Sequence, residues 1–109
     1  MSRKKANKKV IELLKVFGAD LRKKREVTHW FYFKEREDLE RFEIYAFEIG
    51  FQTMQKELRK RKERDELLLI IYRIEDINID SIDFDTSEFF QLAEKFNGIY
   101  DGWETSMEI

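Results

Sequence analysis

Val27-Thr28-His29-Trp30-Phe31-Tyr32-Phe33 is the stretch of the chain that does most to decide its fold. Its β-branched and aromatic residues suit a pleated, half-buried surface, so the stretch predicts a β-strand. Successive side chains of a strand point to opposite faces of the sheet. One face would carry Val27, His29, Phe31 and Phe33, and the other would carry Thr28, Trp30, Tyr32 and Lys34. If helices cover the Phe31 face, Trp30 and Tyr32 lie on an open face that a ligand, a partner or another helix could cover.

Helical patterns lie on both sides of this strand. Apolar residues at helical spacing, followed by a glycine that can adopt a left-handed cap, predict a first helix from Lys4 to Phe17. The residues of this pattern are Ala6, Val10, Leu13, Leu14 and Phe17. A second helix begins near Glu35, where acidic residues favour the helix dipole, and ends at Gly50. Its predicted buried stripe is Leu39, Phe42, Ala46 and Ile49.

Two adjacent strands are predicted next. The segment from Phe51 to about Arg61 is interpreted as a strand that runs into a charged hairpin loop. Its Lys, Arg, Glu, Gln and Leu residues are also good helix formers, so a helix continuing through Arg64 stays open as an alternative. The largely aliphatic segment from Leu67 to Ile74 favours a central strand that is covered on at least one face.

A third helix and a last strand complete the chain. Asp85-Thr86-Ser87-Glu88 has the form of a capping box, and Phe84 and Phe89 are placed as a hydrophobic staple around it, so the helix is predicted to begin there. It is expected to stop at Gly98. Its predicted inner face is Phe89, Leu92, Ala93 and Phe96. The segment from Ile99 to Met107 is predicted to be the last strand.

This order of elements, α-βαββαβ, predicts an α+β fold. Because crossover connections are right-handed, the simplest closure is a ferredoxin-like sandwich with a four-stranded antiparallel sheet, preceded by an extra N-terminal helix. We expect a single domain over residues 1–109, with the N-terminal helix within 1–18 and the core within 27–107. The lysine-rich second strand and the fourth strand, which contains Gly102, are predicted to be the sheet edges.

Composition narrows the class of protein. The chain has 109 residues and no cysteine, which excludes disulfides and thiolate metal sites and fits a reducing compartment. The first residues lack the apolar segment of a secretory signal, and the longest apolar run, Leu67 to Tyr72, is too short to span a bilayer. We therefore expect a cytoplasmic protein without membrane contact. Residues 1–64 carry 19 Lys and Arg against 11 Asp and Glu, whereas residues 65–109 carry 2 against 12.

Catalytic and cofactor motifs are not found in the sequence. His29 is the only histidine, with no nucleophile elbow around any serine and no second histidine at metal-binding spacing. Gly-rich phosphate loops are also missing. The sequence thus predicts a protein that is not an enzyme and uses no cofactor, metal or small-molecule substrate. An enzyme that pairs His29 with Asp101 or Glu104 remains a further hypothesis, because it depends on proximity that a sequence does not give.

Binding of RNA is an alternative function for this architecture. RNA-binding domains of ferredoxin-like fold stack bases on aromatic residues of the two central strands, and a run of cations lies in or near the second strand. The candidate nucleic-acid contacts are Lys56, Arg59, Lys60, Arg61, Lys62 and Arg64. The characteristic RNP1 pattern is missing, however, and the third strand offers only Tyr72 as an aromatic.

The tail segment Tyr100-Asp101-Gly102-Trp103-Glu104-Thr105 allows two interpretations. In the first, Trp103 folds over the edge of the core while Asp101 and Gly102 make a bulge or turn. In the second, Tyr100 and Trp103 form an exposed anchor with a rim of carboxylates, a composition typical of interface hot spots.

Three segments together resemble the RraB family, the bacterial regulators of ribonuclease activity B, also called ribonuclease E inhibitor B. They are Val27 to Phe33, the segment Ala46 to Phe51 with its Gly-Phe pair, and Leu92-Ala93-Glu94 through Tyr100 to Thr105. The similarity covers about Gly18 to Met107, and the tail segment is its most specific element. The resemblance implies a ferredoxin-like, non-enzymatic protein that binds the non-catalytic region of ribonuclease E and restrains RNA decay.

The predicted protein contacts follow from the open sheet face and the adjoining tail. They are His29, Trp30, Tyr32, Tyr100, Asp101, Trp103 and Glu104. The chain differs from better-known members, which have acidic extensions, in that its N-terminal helix and the region near Arg61 are basic. A homologue can keep a scaffold while its target changes.

Overall fold

The computed structural model describes residues 3–61 and 64–106, and for residues 60, 61 and 64 it describes the backbone alone. Its elements are α1 (Arg3–Val16), β1 (Arg25–Phe33), α2 (Arg36–Glu48), β2 (Gln52–Arg61), β3 (Arg64–Glu75), α3 (Ile79–Lys95) and β4 (Gly98–Thr105). The four strands form one antiparallel sheet in the order β2-β3-β1-β4. This is the predicted α+β, ferredoxin-like arrangement with an extra N-terminal helix, and the lysine-rich and glycine-containing strands lie at its edges. Met107 lies outside the described residues.

The three helices lie on the same face of the sheet. Alternate residues of β1 and β3, including Phe31 and Leu69, pack with Phe42 of α2 and Phe89 of α3 in the main core. Helix α1 contributes to a second cluster on the same side, because Ile11 and Leu14 pack with Val27, Ile77 and Ile82. The Trp30 face is therefore the open face, and none of the described helices covers it. No helix in the described part of the chain is long and apolar enough to span a bilayer.

Helix α1 packs with a different face from the one that its apolar pattern predicts. The buried residues are Asn7, Ile11 and Leu14, whereas Val10 and Leu13 are exposed. Both stripes have helical spacing, so periodicity alone does not choose between them. The choice follows from the polar side chain of Asn7, which finds three hydrogen-bond partners in α3 and β4.

Segment 52–61 is a strand, and the helical alternative is wrong. Strand β2 pairs with β3 from Gln52 to Arg61, with one irregularity between Thr53 and Gln55. Pairing with β3 from Arg64 to Tyr72 outweighs the helix propensity of Lys, Arg and Glu, because propensity differences amount to only tenths of a kcal/mol per residue.

Helix α3 begins earlier than the predicted capping box. The helix starts at Ile79, and the Asn78 side chain caps it by accepting hydrogen bonds from the backbone N–H groups of Asp80 and Ser81, at 2.9 and 3.2 Å. Asp85 instead accepts a hydrogen bond from Arg73 at 2.6 Å, and Phe84 is exposed rather than stapled. A local capping pattern does not decide the start of a helix when an equally good cap lies upstream.

The ends of α2 and α3 also differ in detail from the predictions. Ile49 is the residue that follows α2, and it is exposed rather than part of the buried stripe. At the end of α3 the left-handed residue is Asn97, with φ of 59°, whereas Gly98 is the first residue of β4. Gly98 is required for another reason, because a Cβ at this position would overlap the ring of Phe33.

Candidate functional site

A β-bulge in β4 shapes the candidate site. His29 and Trp30 of β1 lie opposite Trp103 and Gly102, whereas the next residue, Phe31, lies opposite Tyr100. Asp101 is therefore an extra residue that has no partner in the register. Because of this extra residue, Tyr100 and Trp103 both point to the helical side. The neighbouring Gly102 has φ of 140°, a backbone conformation that favours glycine.

The open face has a shallow depression of about 160 Å³ at the junction of β1 and β4. Its lining residues are Trp30, Tyr32, Asp101, Gly102, Trp103 and Glu104. Trp30 and Tyr32 come from β1, and the two carboxylates come from β4. The structure thus brings together five predicted protein-binding residues from two parts of the chain: Trp30, Tyr32, Asp101, Trp103 and Glu104.

The aromatic part of this surface is supported from below. Tyr32, Leu68 and Ile70 form a small buried cluster on the open face, with Trp30 packed against it. The guanidinium of Arg59 lies 5.7 Å from the centre of the Trp30 ring, a geometry that allows a cation–π interaction. The indole N–H of Trp30 is buried without a hydrogen-bond acceptor among the described residues. A buried donor without an acceptor costs free energy.

His29 and Tyr100 lie behind the depression, inside the core. His29 is fully buried, and its Nδ1 lies 2.9 Å from the Tyr100 hydroxyl. Burial, with a smaller contribution from the charge of Arg73, lowers the pKa of His29 to about 3, and burial raises the pKa of Tyr100. Both groups are therefore neutral at ordinary pH. The structure places His29 out of reach of a partner, and it places Tyr100 on the helical side, where its ring borders a cavity beside α1 and not the open-face depression.

The structure does not support His29 as the general base of an enzyme. An acid–base residue must reach the substrate and must have a pKa near the working pH. His29 meets neither condition, since it is fully buried and its pKa is far below neutrality. Asp101 and Glu104 are exposed, whereas the ring of His29 packs edge-on against the core ring of Phe89, at 4.8 Å between centres. Among the described residues, no group of three or more His, Cys, Asp or Glu side chains is placed to hold a metal ion.

Trp103 joins the site to α1. Its indole N–H donates to Oδ1 of Asn7 at 2.8 Å, while the Asn7 amide donates to Asp83 and Thr86 of α3, both at 2.9 Å. The tail thus follows the first of the two predicted interpretations, with Asp101 and Gly102 in a bulge and Trp103 partly buried at the core edge. Sequence reasoning missed Asn7. The available signal was a polar residue in register with Ile11 and Leu14.

The predicted cationic residues do not form one surface within the described part of the chain. Lys56 points to the helical side and pairs with Glu43 of α2 at 3.1 Å. Arg59 points to the open side and pairs with Glu57 at 2.9 Å, and the hydrogen bond that Arg59 donates to this carboxylate raises the pKa of Arg59. The side chains of the other predicted cations, Lys60, Arg61, Lys62 and Arg64, lie outside the described residues.

The chain matches a family model along almost its whole length. The model, described as Regulator of ribonuclease activity B, covers residues 4–105. The chain belongs to the RraB family. The match begins at residue 4, so it includes α1 as well as the sheet and the tail.

Individual RraB proteins agree with this assignment. The Regulator of ribonuclease activity B of Escherichia coli K12 is 30% identical over 100 residues, which cover 91% of this chain and 72% of the relative. The protein of the same name from Salmonella typhi is 29% identical over the same share of both chains. The one from Haemophilus influenzae is 35% identical over 72 residues, which cover 64% of this chain and 46% of the relative. The RraB name denotes a regulator of ribonuclease activity, not a ribonuclease.

Proposed function

We propose that this RraB-family chain regulates a ribonuclease of the ribonuclease E type by binding to it and inhibiting it, and that it has no catalytic activity of its own. The observation that carries the proposal is the open-face depression, in which two strands bring Trp30 and Tyr32 beside Asp101 and Glu104. Aromatic residues at the centre of a surface with carboxylates at its rim are typical of the hot spots of protein interfaces.

The buried pair His29 and Tyr100 has a supporting role in this proposal. The two side chains join β1 to β4 directly behind the depression, and their 2.9 Å contact is shielded from water. A buried, shielded hydrogen bond of this kind keeps the two strands in one arrangement. The proposed direct contacts on the open face are therefore Trp30, Tyr32, Asp101 and Glu104, whereas the side chain of Trp103 points to the helical side and donates to Asn7.

Charge favours a protein partner over RNA on this face. The charged side chains that line the depression are the carboxylates of Asp101 and Glu104, and Arg59, which lies over the Trp30 ring, is already paired with Glu57. Phosphates would be repelled by this distribution. Direct binding of RNA predicts an affinity that falls steeply with salt, and we expect a single-stranded RNA oligonucleotide to show no such binding.

The decisive experiment uses the full chain and the ribonuclease E-type enzyme of its own host. Affinity is measured by biolayer interferometry, and inhibition is measured as the cleavage rate of a fluorescent RNA. Trp30→Ala and Glu104→Lys are each expected to weaken binding at least tenfold and to relieve inhibition to the same extent. Phe47→Ala is the matched control, because Phe47 is an equally large ring, 71% exposed, on α2 at the opposite face.

Two results contradict the proposal, and they differ in meaning. No binding by a wild type whose circular dichroism shows it to be folded removes the ribonuclease as partner. Normal binding by both folded variants places the contact elsewhere on the molecule. Glu104→Lys separates binding from folding, since Glu104 is exposed and belongs to none of the buried clusters.

A further inference from the structure

Strand β4 has a usable site on each of its two faces and a free edge between them. It pairs with β1 on one side, and no strand of the described chain pairs with its other side. The open face has the depression at Trp30 and Glu104. On the helical face, a second cavity of about 230 Å³ lies between α1 and the end of β4, lined by Val10, Leu13, Leu14, Trp103, Glu104 and Thr105.

From this placement we propose that β4 accepts one extended segment of a partner protein as a fifth strand of the sheet, with alternate side chains of that segment entering the two sites. The inference rests on the proposed function in taking β4 as part of the partner surface. An added strand gains main-chain hydrogen bonds from a free edge, and pockets for alternate side chains make its recognition specific.

The chemistry of the two sites specifies the sequence of the segment. The helical-side cavity takes an apolar side chain, because its walls include Val10, Leu13 and Trp103, and the two aliphatic residues are 39% and 51% exposed. The open-face site takes Arg or Lys, because it places the aromatic rings of β1 beside the carboxylates of Asp101 and Glu104. Consecutive residues of a strand point to opposite faces, so the segment alternates basic and apolar residues.

The bulge determines which part of the edge is used. Bulges disturb pairing, and Asp101 is the residue without a partner in the register. From Gly102 to Thr105 the pairing with β1 is regular. This short portion carries both sites, with Glu104 at each of them, and we place the added strand there.

The first test uses a phage-displayed library of random 12-residue peptides, panned against the full chain. Enriched peptides are expected to alternate basic and apolar residues. Leu13→Glu and Glu104→Lys should each weaken their binding at least tenfold. Val16→Glu is the matched control, because it puts the same charge on the same helix at a position that is 78% exposed and does not line the cavity; its effect should stay within twofold.

The second test examines the backbone. Only alternate amides of an added strand face β4. N-methylation of the set of alternate amides that faces β4 should therefore abolish binding, whereas N-methylation of the other set should leave binding unchanged. Hydrogen exchange of residues 102–105 should slow in the complex. Failure to enrich alternating peptides, or equal binding by Leu13→Glu and wild type, overturns the inference.

Two further outcomes separate this inference from the proposed function. If the host ribonuclease loses affinity with Trp30→Ala but not with Leu13→Glu, the open-face contact stands and the added strand is refuted. If peptides bind as expected while the ribonuclease does not bind, the added strand stands and the ribonuclease proposal fails. A concentration-dependent dimer of the free chain that Leu13→Glu abolishes would assign the edge to a second copy and also overturn the inference.

Discussion

Acidification should destabilise this protein through one residue, His29. It is the only histidine of the chain, so it alone among the side chains has an ordinary pKa between 5 and 8. Burial lowers its pKa in the folded protein to about 3, whereas the unfolded chain has the ordinary value near 6.5. Between these two values the unfolded chain binds a proton that the folded protein does not. The contribution of neutral His29 is therefore fully present above pH 6.5 and is lost as the pH falls towards 3.

The expected magnitude follows from proton linkage. Each pH unit within this window lowers the free energy of unfolding by about 1.4 kcal/mol for one proton. Between pH 7 and pH 5 the loss is about 2 kcal/mol, because the pH then crosses about 1.5 units of the window, from 6.5 down to 5. A loss of this size is a large part of the stability of a small domain, which is typically about 5–15 kcal/mol.

Urea unfolding followed by circular dichroism between pH 7.5 and pH 5 measures this loss. His29→Gln is the comparison variant, since an amide keeps a polar partner for the Tyr100 hydroxyl but does not titrate in this range. The free energy of unfolding of the variant should stay nearly level over the same interval, after any constant offset is subtracted. Equal slopes for wild type and variant would refute the reasoning, because carboxylates common to both proteins would then account for the loss.

Three further substitutions test particular contacts. Trp103→Phe leaves Oδ1 of buried Asn7 without its donor and should lower the free energy of unfolding by about 1–3 kcal/mol. A double-mutant cycle with Asn7→Ala should show coupling between the two residues. Strictly additive effects would contradict the hydrogen bond. Asn78→Ala removes the N-cap of α3 and should cost about 1 kcal/mol by urea unfolding, so an unchanged midpoint would mean that the cap lies elsewhere. Gly98→Ala drives a methyl group into the Phe33 ring and should cost about 1–3 kcal/mol in thermal unfolding, whereas a neutral or stabilising result would contradict the close packing.

The sequence alone predicts an element correctly where its local pattern fits only one secondary structure and one buried face. Strand β1 is dense in β-branched and aromatic residues, and β3 contains the aliphatic run Leu67 to Ile71, so both central strands were predictable. Helix α1 has two possible buried faces with equally good spacing, and α3 has two possible N-caps, at Asn78 and Asp85. Contacts between distant parts of the chain decided both, namely the hydrogen bonds of Asn7 and the packing of Ile82 with α1. Local patterns cannot contain that information.

The candidate site was predictable in part. Alternation placed Trp30 and Tyr32 on one face of β1, and the same alternation placed His29 with Phe31. The burial of His29 therefore follows from the sequence, and its prediction as a protein-binding residue is at odds with the alternation of β1. The positions of Tyr100 and Trp103 could not be derived in this way. Strict alternation puts residues three apart on opposite faces, and only the extra residue Asp101 puts these two on the same face.

For the fold, the number of residues in β4 is more important than the identity of the bulge residue, Asp101. Asp101 is exposed and has no partner in the register, so exchanging its side chain is expected to leave the pairing of the strands unchanged. Deleting it would shift every later residue to the other face, so that Trp103 would leave Asn7 and Glu104 would point into the helical layer. The presence of one extra residue in β4 thus places Trp103 against Asn7 on one face and Glu104 beside Trp30 on the other. Substitutions at position 101 should be tolerated by the fold, whereas a one-residue deletion there should disturb both sides of the sheet at once.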